Sequence, residues 1–398
     1  MSNKKYFYIF LSILIGTTII FLYPHKISQE ILISTNGNFL FYNSPIAAKT
    51  KGYTYLAFVD NMGGVYVNKY YKNISKIPLK TYKVHDYKNV INKKIGSADD
   101  HSAPAIINDP FTKKVLLSTA YHGTDLFVYQ YNSNKESFSL KKTLSGNFTY
   151  PRFITTSKET FLFARKMYKK GKKWIGSLVA YRSSDDFNAE TLILDTYPGS
   201  VIYASRPFYC KNTVYFTYAT HDYATGNMSG LTIIGWDTKS EKLVLNLDMS
   251  NYLDKNYFYN RPTGLAADDN KIVVATSFFD SKKNFKEEKL YIRENTVLIL
   301  EVDIANKDNI TVNVLHKNRT KAPYYNTDVF IDKNFNWIYF DDNKTISNRT
   351  VSDKCFHHRY MMYPTIIDDA ILYTKVNNDH YSIRDFNNSI IECQHYAK

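Results

Sequence analysis

From about residue 28 onward the chain is built of short runs that alternate apolar and polar side chains. Tyr53–Asp60 (YTYLAFVD), Val115–Thr119 (VLLST), Thr213–Tyr218 (TVYFTY) and Ile272–Thr276 (IVVAT) are examples. Successive side chains of a strand point to opposite faces, so a period of two predicts strands. Each run is bounded by Gly, Asn, Asp, Lys or Ser, which serve as turn residues. No stretch carries the period of a long amphipathic helix, and no Gly/Ser- or Pro-rich linker divides the chain. The pattern predicts one all-β domain over residues 28–398.

A loose repeat runs through that domain. Its unit is a proline, a short apolar strand, a turn with Asp, Asn or Lys, and a second apolar strand. Copies begin at Pro45 (PIAAKTKGYTYLAF), Pro104 (PAIINDPFTKKVLLST), Pro151 (PRFITTSKETFLFA), Pro207 (PFYCKNTVYFTYA), Pro262 (PTGLAADDNKIVVAT) and Pro364 (PTIIDDAILYTK). A further copy without proline starts near Thr327 (TDVFIDKNFNWIYF). About seven strand-rich units at this spacing predict a single seven-bladed β-propeller. One blade cannot bury both of its faces alone, whereas blades in a ring bury each other. Proline at a strand start is tolerated because no ladder N–H is lost there.

Residues 1–27 read differently. Lys4 and Lys5 precede an apolar run from Tyr6 to Tyr23, closed by Pro24. A basic flank followed by such a run is a signal peptide or a membrane anchor, and predicts a hydrophobic helix. About 18 residues is the short end of what spans a bilayer. No small-x-small cleavage site follows, which favours an uncleaved anchor. In either case the remainder is exported, to the periplasm, the cell surface or the medium.

Composition narrows the partners. The net charge of +14 favours anionic ones, a membrane surface or an acidic polysaccharide. The lysines are scattered and no nucleic-acid motif is present, which argues against nucleic acid. The 35 Tyr and 25 Phe suit half-buried strands, and Tyr also suits sugar-binding surfaces. Three cysteines, Cys210, Cys355 and Cys393, form no disulfide framework, although one bridge such as Cys355–Cys393 is open in an oxidising compartment. Cys355, His357 and His358, with Cys210 or His395, match no defined zinc motif. They leave a structural zinc or calcium as an open expectation.

Candidate chemistry concentrates in three consecutive units. Asp99-Asp100-His101-Ser102-Ala103-Pro104 enters one unit, and Ala120-Tyr121-His122-Gly123 closes its second strand. The next opens with Thr149-Tyr150-Pro151-Arg152 and carries Phe163-Ala164-Arg165. The third has Tyr203-Ala204-Ser205-Arg206-Pro207, then Thr220-His221-Asp222. Histidine is a base near neutral pH, and arginine holds a carboxylate bidentately. Arg152, Tyr203 and Arg206 are candidates for substrate contact.

The D-D-H-x-x-P, Y-H-G, Y-P, A-R and T-H-D stretches, from about Asp99 to Asp222, resemble the BNR-4 group of propellers. That group includes the ulvan lyases of polysaccharide lyase families 24 and 25. Ser183-Ser184-Asp185-Asp186-Phe187 is similar to a degenerate Asp box without its usual glycine and tryptophan. The resemblance implies a lyase that cleaves an acidic, uronate-containing glycan by β-elimination. It implies active-site roles for His101 and His122, a proton-transferring Tyr150, a carboxylate-neutralising Arg165 and a further histidine, His221. The scheme requires no cofactor. A non-catalytic glycan-binding propeller would share the pattern. A sialidase-like hydrolase would show an arginine triad and a Glu/Tyr nucleophile pair, and neither is evident. A monomer is expected.

Overall fold

The computed structural model describes residues 30–34, 43–60, 62–87, 100–254, 257–279, 295–306, 309–320, 327–341, 344–348, 361–367, 370–376 and 388–394. Residues 1–27, Asp99, Cys355, His357, His358 and His395 lie outside them, and with them the predicted apolar helix, the cysteine pairing and most of the metal candidates. Among the described residues no helix is long and apolar enough to cross a membrane.

The described strands form seven antiparallel blades. Blade 1 holds Ala47–Lys49, Tyr53–Val59, Gly64–Tyr71 and Lys80–Asp86. Blade 2 holds Ala105–Asp109, Lys114–Thr119 and Thr124–Asn132. The long strand Ser137–Thr155 finishes blade 2 with its first half and opens blade 3 with its second. Blade 3 continues with Thr160–Lys170, Lys173–Arg182 and Glu190–Asp195. Blade 4 has Ser200–Ala204 and Phe208–Cys210 on one edge, then Thr213–Asp222, Met228–Asp237 and Lys242–Asp248. Blade 5 is Phe258–Ala267, Lys271–Phe279, Asn295–Asp303 and Thr311–Thr320. Blade 6 is Phe330–Ile331, Trp337–Asp341 and Lys344–Ser347. Blade 7 is Met361–Ile367, Ala370–Val376 and Asn388–Gln394.

The ring closes through Glu30–Ser34, which pairs antiparallel with Asn388–Gln394 and completes blade 7 from the other end of the chain. Joining the two ends covers a sheet edge that would otherwise be open to pairing with another chain. Every repeat read from the sequence, including the proline-less copy near Thr327, maps onto the first two strands of one blade.

Strand alternation explains the packing. In Thr160–Lys170, Leu162 and Ala164 pack with blade 2, while Phe161 and Phe163 pack with blade 4. In Lys271–Phe279, Ile272 and Val274 face blade 4, while Val273 and Ala275 face blade 6. A central strand therefore buries both faces and reads as an almost continuous apolar run. Phe163 is fully buried, edge-on to Phe216 at 5.1 Å and to Trp236 at 5.9 Å. Phe163→Ala is expected to cost about 3–5 kcal/mol. A denaturant midpoint that barely moves would contradict this account of the seam.

Blades 3 and 4 approach closely at Gly176. A Cβ there would lie 2.7 Å from the Cβ of Val201, and the adjacent Ile175 forms a parallel bridge to Ser200.

Candidate active site

At the meeting of blades 2, 3 and 4 lies a cavity of about 460 Å³, lined in part by His122, Asn147, Arg165, Trp174, Tyr203 and His221. His122 sits in the tight turn Tyr121–Thr124, where Gly123 takes a positive φ of 78° and donates its N–H to the Phe148 carbonyl at 3.1 Å. Glycine adopts that conformation without the penalty a Cβ brings. His101 stands on the short 3-10 turn Asp100–Ser102, and its ring centroid is 3.8 Å from that of His122.

Tyr150 occupies a bulge. The register between Ser137–Thr155 and Thr160–Lys170 skips from Phe163 opposite Arg152 to Arg165 opposite Thr149. Tyr150 takes φ +59°, the left-handed region, which is unfavourable for a bulky side chain. The bulge turns the ring inward, where it is 1% exposed and lies 5.2 Å from His101 and 5.8 Å from Tyr203.

The Arg165 guanidinium is held between two rings, 4.4 Å from the centroid of Tyr150 and 4.9 Å from that of Tyr203. Such cation–π contacts are attractive and strengthen on desolvation. Arg165 is only 4% exposed, yet its Nε and Nη1 atoms meet no hydrogen-bond acceptor among the described residues. Buried guanidinium groups ordinarily meet a carboxylate. Here the side chain faces the cavity instead.

Electrostatics follow from this charge. Burial pushes the Tyr203 phenol up, but the Arg165 charge, His101, and hydrogen bonds with Arg165 and Tyr150 outweigh it and hold the phenol below its ordinary value. His221 is held below the usual imidazole value, first by burial and then by the Arg165 charge, so it is neutral at pH 7. Its Nδ1 is buried without a hydrogen-bond partner. His221 sits at the end of Thr213–Asp222, opposite Val201 and Met228, with Tyr203 at 5.9 Å and Tyr223 at 5.4 Å.

His85, His221 and His316 are all held down with burial as the leading cause. Their contribution is present above the unfolded imidazole value of about 6.5 and is lost as pH falls through it toward the lower folded values, because the unfolded chain binds more protons there. The melting temperature is expected to fall from pH 7.5 to pH 5.5. A flat profile would contradict the burial of these rings.

The structure thus brings His101, His122, Tyr150, Arg165, Tyr203 and His221 into one cluster. Arg152 and Arg206 do not line this cavity, although the Arg152 guanidinium lies 5.8 Å from the centroid of the Tyr150 ring. Arg152 is 1% exposed and donates from Nη2 to the Ala204 carbonyl at 2.8 Å, tying blade 3 to blade 4. Arg206 lines a different cavity of about 410 Å³, with Pro45 from just before the first strand of blade 1, Phe153 and Gly264 from the first strands of blades 3 and 5, and Lys333 from the turn after Ile331. Its guanidinium lies over Phe330 at 5.4 Å, and burial lowers its pKa to about 10 against the pull of Asp328. The Asp-box-like stretch is a structural turn: Asp185 accepts from the backbone of Asn188 and Ala189, and Phe187 is buried in the seam between blades 2 and 3. Trp174, Met167 and Tyr223 line the cavity without having been singled out in the sequence. Met167 lies two residues beyond Arg165, on the same strand face, which is the signal that would have found it. Among the described residues no group of three or more His, Cys, Asp or Glu is placed to hold a metal ion, and Cys210 is a free thiol.

No known family profile matches the chain, and no curated protein matches it in sequence. Solved structures do match in fold. An ulvan lyase of polysaccharide lyase family 25 superposes with a TM-score of 0.59 at 10% identity, over 91% of this chain and 95% of that one. The same kind of enzyme bound to glucuronate linked to 3-sulfated rhamnose superposes equally well at 11% identity. A further polysaccharide lyase matches with a TM-score of 0.52 at 10% identity, over 92% of this chain and 99% of that one. At such identities the likeness is one of fold, and the chain is a β-propeller resembling the ulvan lyases along nearly its whole length.

Proposed function

We propose that the chain is a polysaccharide lyase that cleaves a uronate-containing acidic glycan by β-elimination. The observation that carries this reading is the Arg165 guanidinium, buried at the cavity wall with Nε and Nη1 unengaged by the described residues. A uronate carboxylate supplies the two acceptor oxygens that a guanidinium fork fits. Neutralising that carboxylate makes the adjacent C5 proton acidic and stabilises the charge that develops when it leaves.

In this scheme the neutral His221 takes the C5 proton. The electron pair forms the C4–C5 double bond, and the C4–O bond breaks. The Tyr203 phenol, made more acidic by Arg165, gives its proton to the departing glycosidic oxygen. Proton transfers of this kind depend on a pKa tuned toward the working pH. His122 lines the cavity from blade 2 and is backed by His101. Tyr150 supports Arg165 and Tyr203 from below. Arg152 and Arg206 have no part in the step.

The likeness in fold to polysaccharide lyases supports the same class. The test is incubation of the protein with a panel of uronate polymers and their carboxyl-reduced forms. Ultraviolet absorbance from unsaturated uronate is expected with a carboxylated polymer and not with its reduced form. Binding without any such product would favour a glycan-binding propeller.

A further inference from the structure

The two central strands of blade 3, Thr160–Lys170 and Lys173–Arg182, run on past the cavity as a hairpin closed by Gly171 and Lys172. Four lysines crowd its tip: Lys169, Lys170, Lys172 and Lys173, all exposed. None of them forms an ion pair among the described residues. By contrast, Lys166, nearer the cavity, is neutralised by Glu190 at 2.8 Å. Four unneutralised cations on one turn repel each other and weaken the hairpin unless an anion joins them.

Their position connects them to the cavity. Arg165, Met167 and Lys169 alternate onto one face of the strand, and Arg165 and Met167 both line the cavity. Lys169 is paired across the hairpin with Trp174, which also lines it, and its ammonium lies 5.0 Å from the centre of the indole ring. From Arg165 to Lys169 the strand rises about 13 Å. One sugar ring cannot reach both.

We propose that this hairpin is a second anion-binding subsite, which holds an acidic group on a sugar next to the uronate at Arg165, with Trp174 as the stacking surface between the two. This rests on the lyase reading for the identity of the sugar at Arg165. The ligand is a glycan charged on adjoining residues, and the charge is a sulfate ester or a second carboxylate.

The test is binding of the full chain to ulvan and to chemically desulfated ulvan at several salt concentrations. Intrinsic fluorescence is a suitable signal, because Trp236 and Trp337 are buried and Trp174 is the half-buried indole. The variant K169Q/K170Q/K172Q/K173Q is expected to bind ulvan about tenfold or more weakly at low salt, with a flatter dependence on salt, since fewer counterions are released. Its melting temperature should hold or rise, because the four side chains are exposed and their mutual repulsion is removed. A weakening seen only with ulvan assigns the charge to sulfate, and one seen with both polymers assigns it to carboxylate. Equal affinity and equal salt slope for wild type and variant would overturn the proposal. Both proteins are compared in a Tyr203→Phe background, which suppresses turnover, so the subsite stands or falls separately from the elimination chemistry.

Discussion

Arg165→Gln is expected to lower kcat/KM on a uronate polymer by about a hundredfold to a thousandfold, the scale of removing a preorganised charge-stabilising donor. The substitution removes the guanidinium that meets the carboxylate while leaving a polar side chain of similar reach. Arg165→Lys is expected to recover little, because an ammonium keeps the charge and loses the fork. Stability should change little. The wild-type cation sits between Tyr150 and Tyr203 with no carboxylate partner among the described residues. Removing it relieves a desolvation cost but gives up the contacts with both rings, which favour the cation. A variant that melts near the wild-type temperature yet has lost activity separates a functional role from a structural one. Activity within tenfold of wild type would remove Arg165 from the mechanism.

Tyr203→Phe is expected to reduce kcat by about a hundredfold to ten-thousandfold, the span of a general acid or base. Tyr150→Phe should act differently. Tyr150 is 1% exposed beneath the cluster and does not line the cavity. Its hydrogen bond with Tyr203 is one of the contacts that hold the Tyr203 phenol down. Loss of that hydroxyl therefore raises the Tyr203 value and moves the alkaline limb of the pH–rate profile upward, with a smaller fall in kcat at the optimum. A Tyr150→Phe variant as damaged as Tyr203→Phe, with an unshifted profile, would return the proton-transfer role to Tyr150.

The sequence resolved the blade interiors better than their edges, for a physical reason. The first two strands of a blade are buried between neighbours, so IVVAT and TFLFA announce themselves as apolar runs. Outer strands such as Lys242–Asp248 are largely exposed, and their composition resembles that of a loop. The closing strand Glu30–Ser34 pairs with residues more than 350 positions away, and nothing local signals such a partner.

The site was legible by residue type and less so by role. Arg165 and the histidines stand at matching places in successive repeats. The proposed choice of Tyr203 over Tyr150 rests on the bulge, and no glycine marks that positive φ. Arg152 and Arg206 both flank a repeat proline and look interchangeable with Arg165 on paper. The backbone sends one to the Ala204 carbonyl and the other to a second cavity. The lysine hairpin looked like part of a scattered positive charge until the strand register aligned it with Arg165.

The central claim is that the chain breaks a glycosidic bond by elimination at Arg165. The most direct test is digestion of a uronate polymer in water enriched in heavy oxygen, followed by mass spectrometry of the products. The account predicts an unsaturated uronate at the new non-reducing end and no solvent oxygen incorporated at cleavage, with both products absent for Arg165→Gln. Products that carry one solvent oxygen per break and no double bond would show hydrolysis and contradict it.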